Sequence, residues 1–169
     1  GFENEHSDYD CALIVEDDAF ERYQHRFEDY EPAIETGIFT LESFRCHAAW
    51  GSDLAWDRYD WAHAVANPDK SGGIIQQIAD DKGRVPSEHA DSHINASLDW
   101  YVNLVFRSLK CLRAGDMVGY RLEAAESIRP MLQALFCLHD RRVMPYYKYL
   151  TWELEKFPLG KLRFTGSQL

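Results

Sequence analysis

Positive charge is scarce in this chain: 18 Lys and Arg stand against 28 Asp and Glu in 169 residues, a formal net charge of −10. A general nucleic-acid or anionic-membrane surface needs a broad cationic excess to replace counterions, so neither is expected as a partner. Cysteine is sparse as well. Cys11, Cys46, Cys111 and Cys137 lie far apart with no Cys-x-x-Cys pair, which argues against a zinc knuckle or a dense disulfide framework and for reduced, mostly buried thiols in a cytoplasmic protein. No apolar run approaches the length of a membrane span, and the polar, acidic start is unlike a signal peptide. Repeats and low-complexity tracts are also absent. The chain opens Gly1-Phe2-Glu3 without Met and leaves little room for a strand ahead of Asp8, from which a fragment is expected.

What is present is a core-forming composition, 46% hydrophobic and 14% aromatic. Cys11 to Val15 reads as a short buried strand, and Phe20, Tyr23 and Phe27 recur at helical spacing over Asp18 to Asp29. Gly37 to Trp50 is rich in β-branched and aromatic residues and predicts one strand or a hairpin. Trp56 to Val65 is ambiguous between helix and strand, Asn67 to Gly73 is a turn before Ile74 to Ala79, and Lys82-Gly83-Arg84-Val85-Pro86 marks a boundary. Beyond it, Ile94, Leu98, Tyr101, Val102, Val105, Leu109 and Leu112 follow three- and four-residue steps, the pattern of a core-facing helical stripe. A second helix begins near Met117 and contains Pro130; Pro145 opens a third, which Pro158 stops. The predicted class is α+β: a mixed α/β unit over 1–86, a helical bundle over 87–157 and a tail over 158–169.

Two stretches carry candidate chemistry. Asp8 and Asp10 precede a strand with one residue between them, so both carboxylates leave the same face. They read either as an acidic, solvent-exposed start of a strand or as a Mg²⁺ clamp, because a divalent cation relieves the repulsion of paired carboxylates. In the first long helix Asp99, Asn103, Arg107 and Lys110 step by four, four and three and share about a quarter of the circumference. That row is either a solvated face stabilised by charge pairs or a phosphate-holding face. His47 and His63 read as ordinary histidines, Glu123 and Glu126 as a solvated face, and Trp50, Trp56 and Trp61 as core. Asp57-Arg58-Tyr59-Asp60 reads as an ion-paired turn or a substrate rim, and Tyr146, Tyr147 and Lys148 as anchors of the third helix or the border of a nucleotide pocket.

The Ser7-Asp8-Tyr9-Asp10 element before an apolar strand resembles the Ser-Asp-x-Asp motif of nucleotidyltransferases related to DNA polymerase β. The order of α/β segment and helical segment is similar to the small-molecule branch that includes kanamycin nucleotidyltransferase. Asp99 to Lys110, Arg121 to Ser127 and Pro145 to Leu154 look like the C-terminal region of bacterial members, so the resemblance covers nearly the whole chain. It implies an incomplete nucleotidyltransferase-type mixed sheet followed by a bundle. The implied activity is Mg²⁺-dependent transfer of a nucleoside monophosphate from ATP or another NTP to a hydroxyl of a small molecule, an aminoglycoside-like one being compatible with the acidic charge. Asp8 and Asp10 would hold the metal, Ser7 would belong to the same element, and Arg107, Lys110 and Lys148 would approach the phosphates. The branch's catalytic glutamate corresponds to Asn103, which cannot accept a proton; Asp99, one turn earlier, is the substitute candidate. The Gly-Ser turn and first strand-helix of the family are missing. For the third carboxylate, the strand-like segment Ser43 to Trp50 offers none, leaving Glu42 and Asp60 as candidates. A homodimer is compatible with the resemblance. The competing expectation is a non-catalytic helical interaction module or a degenerate nucleotide binder.

Overall fold

The computed structural model describes residues 7, 9–24 and 34–161. The chain is mixed α/β and rich in helix, with a two-stranded parallel sheet of β1 (Tyr9–Val15) and β2 (Ile34–Thr40). The strands pair in register from Tyr9 opposite Ile34 to Val15 opposite Thr40. Parallel neighbours require a crossover connection, and α1 (Asp17–Gln24) begins it; the remainder of the helix expected over Asp18 to Asp29 lies outside the described residues. The strand expected to be buried over Cys11 to Val15 starts earlier and is exposed from Tyr9 to Ala12, reaching half-burial only at Leu13 to Val15. Among the described residues β1 has one strand neighbour, so its other edge is unpaired there.

The stretch from Gly37 to Trp50 does not continue as a strand or hairpin. At Thr40 the Oγ1 accepts the Ser43 N–H at 3.0 Å while the Thr40 N–H donates to Ser43 Oγ at 2.8 Å. This reciprocal cap satisfies two orphan donors at once and starts α2 (Leu41–Cys46). Local capping therefore overrides the β propensity of Phe44 and its neighbours. Phe44 turns inward against Trp61, their ring centres 4.9 Å apart, and so attaches α2 to a 3₁₀ segment over Ala55–Trp61.

Residues 82–86, read as a boundary, form a packed seam. Lys82, Gly83 and Val85 are buried; the Val85 N–H donates to Arg141 O at 2.7 Å and the Val143 N–H to Gly83 O at 3.3 Å. α3 (Ile74–Lys82) ends here, and a Cβ on Gly83 would lie 2.7 Å from Ala62 Cα, so no larger side chain fits without moving backbone.

The rest is α4 (Ala90–Arg113), α5 (Met117–Leu138) and α6 (Leu150–Lys156). Asp116 caps α5, its Oδ1 accepting the Gly119 N–H at 2.8 Å. α4 and α5 form an antiparallel hairpin whose base holds the core, where Leu132 and Phe136 of α5 pack with Leu154 of α6 and Leu159. Leu159 falls in the expected tail, so the packed chain extends at least to that residue; 162–169 lie outside the described residues.

The core-facing stripe predicted for α4 is the largest departure from expectation. Leu98, Val102, Leu109 and Leu112 are exposed, and the residues buried toward the chain are Ala90, Ser97, Leu104 and Ser108. At 100° per residue the centre of Ser97, Leu104 and Ser108 lies about 120° from that of Leu98, Val102 and Leu109. Small side chains let α5 approach closely, and the Ser108 and Ser127 hydroxyls donate to carbonyls three residues back at 2.8 and 2.7 Å, so neither is buried unpaired.

Candidate functional site

A 3₁₀ segment has three residues per turn, so positions i and i+3 eclipse one another. That geometry sets Asp57 and Asp60 side by side on the Ala55–Trp61 segment, close enough to act on each other electrostatically. Asp57 is fixed by His47, whose Nε2 is 2.8 Å from Asp57 Oδ2. Asp60 lies within electrostatic reach of Asp10 on β1 and adjoins Tyr146, which follows the fully buried Pro145. Burial of the carboxyl, then Asp57 and then Asp10, push Asp60 up to about 7, with the Tyr146 hydroxyl acting in the opposite direction. Asp60 as a residue nevertheless keeps an exposed side. The Tyr146 hydroxyl is buried and makes no hydrogen bond of good geometry; burial and the adjoining Asp60 push it upward.

Of the sequence-predicted residues, Asp10 and Asp60 thus lie within electrostatic range of each other. Asp8 lies outside the described residues. Ser7 is exposed, and Glu42 sits on the exposed side of α2, where Cys46 Sγ donates to it at 3.6 Å. Asp99, Asn103, Arg107 and Lys110 are exposed on α4, and Arg107 pairs with Glu123 of α5. Lys148 places its ammonium 4.6 Å from the centre of the Tyr149 ring. The turn read as an ion-paired surface or a substrate rim turns Arg58 and Tyr59 inward. Asp57 beside Asp60 and its contact with His47 go beyond the sequence reading, and Tyr146, read as a helix anchor or the border of a pocket, adjoins Asp60. The i, i+3 spacing of the two aspartates was a visible signal for the first, whereas Tyr146 is brought in from the other half of the chain.

A hard cation fits the oxygen-only donor set of Asp10 and Asp60. Among the described residues no three His, Cys, Asp or Glu side chains converge on one point, but Mg²⁺ commonly keeps several waters and takes only one or two protein carboxylates. A cavity of about 710 Å³ elsewhere is lined by Arg45, Trp50, Arg58, Lys82, Arg84 and Arg141 among others, without Asp10 or Asp60. Three of its cations hold the seam together: buried Arg58 donates to Ala48, Asp81 and Arg84 carbonyls at 3.0, 2.6 and 2.7 Å, buried Lys82 donates to those of Arg45 and His47, and half-buried Arg141 to that of Val85 at 3.0 Å. These bonds give the cavity a structural role.

A second polar node joins the halves. Glu153 of α6 accepts from Tyr59 Oη at 2.9 Å, lies 2.8 Å from His63 Nε2 and pairs with Arg142. Burial opposes its charge, but the bonds with His63, Arg142 and Tyr59 prevail and hold its carboxyl below the ordinary range. No family model, curated protein or solved structure matches this chain, so its site is read from its own geometry.

Proposed function

We propose that the chain carries the metal-binding part and helical part of a Mg²⁺-dependent nucleotidyltransferase, which moves a nucleoside monophosphate from an NTP to a hydroxyl of a small molecule. The observation that carries the reading is the approach of Asp60 to Asp10, two carboxylates far apart in sequence whose repulsion a divalent cation relieves. Asp10 and Asp60, with Asp8 from the same motif, are the residues to hold it. When bound, Mg²⁺ supplies neutralisation of the charge developing on the phosphates as pyrophosphate leaves. The His47–Asp57 pair restrains the turn that bears Asp60, and Tyr146 borders the same carboxylate. On α4, Asp99 and Asn103 are the candidates for the acceptor side, and Arg107 and Lys110 for the phosphates. The acidic chain suits a polycationic acceptor.

Titration calorimetry with Mg²⁺ and a non-hydrolysable ATP analogue tests the reading. Wild type is expected to bind the analogue only with Mg²⁺, less tightly below about pH 7 as a proton competes for Asp60, and Asp10→Asn and Asp60→Asn are each expected to weaken binding at least tenfold. Metal-independent binding, or variants that bind as wild type, would refute it. The exposed apolar face of the α4–α5 hairpin favours a second reading, a helical interaction module without catalysis; nucleotide binding failing while association persists is its signature.

A further inference from the structure

Leu98, Val102, Val105, Leu109 and Leu112 follow one another by alternate steps of four and three residues, the spacing of a coiled-coil seam. α5 covers the other side of α4, so this seam stays open: Leu98 is 41% exposed, Val102 46%, Leu109 48%, Leu112 44% and the flanking Phe106 60%. The same end of the hairpin adds Val118 at 70% and Leu122 at 62%. Large exposed apolar side chains grouped in this way mark an interaction site.

The charges on the seam indicate what covers it. The first half of α4 carries Asp91 and Asp99 and no Lys or Arg; the second half carries Arg107, Lys110 and Arg113 and no acid. At 100° per residue Asp91, Leu98, Val102, Leu109 and Arg113 fall within an arc of about 60°. The seam therefore has an anion at its beginning and a cation at its end, both exposed. A parallel copy would set like charge beside like, whereas an antiparallel copy sets Asp91 beside Arg113 of the partner subunit and Arg113 beside Asp91 of the partner subunit. Val102 is the sequence midpoint of the two, and the same register faces Leu98 with Phe106 of the partner subunit.

We propose that this face is the interface of a two-fold homodimer in which α4 packs antiparallel on α4 of a second copy, with Val102 next to the axis. The arrangement is independent of any nucleotide chemistry at Asp10.

Light scattering on the full chain is expected to give about twice the 19.6 kDa chain mass. Arg113→Asp is expected to raise the dimer dissociation constant about tenfold, and the double variant Asp91→Arg/Arg113→Asp to restore it, since the swap recreates both pairs. With Cys11, Cys46 and Cys111 changed to Ser, Val102→Cys is expected to give a disulfide-linked dimer under mild oxidation, and Val65→Cys, on an exposed loop, is expected to give none. Circular dichroism verifies that each variant is folded. A monomer at tens of micromolar overturns the proposal, including one whose α4 amides are protected by its own tail. So does a dimer that neither cross-links through Val102→Cys nor responds to the charge swap.

Discussion

Glu153 shows how one buried charge can hold two parts of a chain together. Its carboxylate is 4% exposed and is bonded by Tyr59, 94 positions away, by His63 and by Arg142. Breaking such a set leaves the half-buried Arg142 guanidinium without its carboxylate, so Glu153→Gln is expected to destabilise the protein by about 3 kcal/mol at neutral pH. The folded-state pKa is depressed below the ordinary 4.5, so the unfolded chain takes up the proton first as pH falls. The stabilisation is thus fully present above about pH 4.5 and is lost as pH drops through the folded value. Urea unfolding of wild type and variant at pH 7 and below pH 4 checks this: the gap is expected to narrow in acid, and a constant gap would show that packing rather than charge was removed. Nothing near Glu153 in sequence marks it, because each of its partners arrives through the tertiary fold.

Among the elements, α2 was misread and α4 was read correctly as a helix with an incorrect burial. The six residues of α2 depend on the Thr40–Ser43 cap, and Thr40→Ala is expected to cost about 1 kcal/mol, lowering the melting temperature by roughly 2–4 °C. An unchanged melting curve would mean that the Phe44–Trp61 contact alone keeps the helix. The Thr-Leu-Glu-Ser run ends in Ser where the usual capping box has Glu or Gln, so the aromatic and β-branched neighbours are the stronger local signal. For α4 the three- and four-residue steps correctly predicted a helix, since periodicity reports which residues share a face. It does not report which neighbour covers that face, and α5 packs instead on the row of Ser97, Leu104 and Ser108.

For the whole molecule, the seam at 82–86, the Glu153 node and the Leu132–Phe136–Leu154–Leu159 cluster form the packed base from which the α4–α5 hairpin extends. No helix among the described residues is long and apolar enough to cross a membrane, and the stripe on α4 lacks a cover among them. If its cover is a second copy, stability depends on concentration by mass action. The melting temperature of wild type is expected to rise by a few degrees over a hundredfold increase in protein, and that of Leu109→Glu to stay flat. Equal behaviour of the two would count against a dimer through this face.

By itself the sequence determined the elements whose signals are local: helices with regular apolar steps, the turn at Gly115 and the helix opened near Pro145. It also determined which side chains could carry charge, including Asp10 and Asp60. The tertiary structure decided which of these meet. Asp60 comes within electrostatic range of Asp10, fifty residues away, and the 3₁₀ segment that bears it is anchored through Arg58 to the carbonyls of Ala48, Asp81 and Arg84, contacts between residues distant along the chain. Likewise the hydrophobic pattern of α4 specified an apolar face, but packing against the smaller residues left that face open, because burial is a property of neighbours that a local period does not encode.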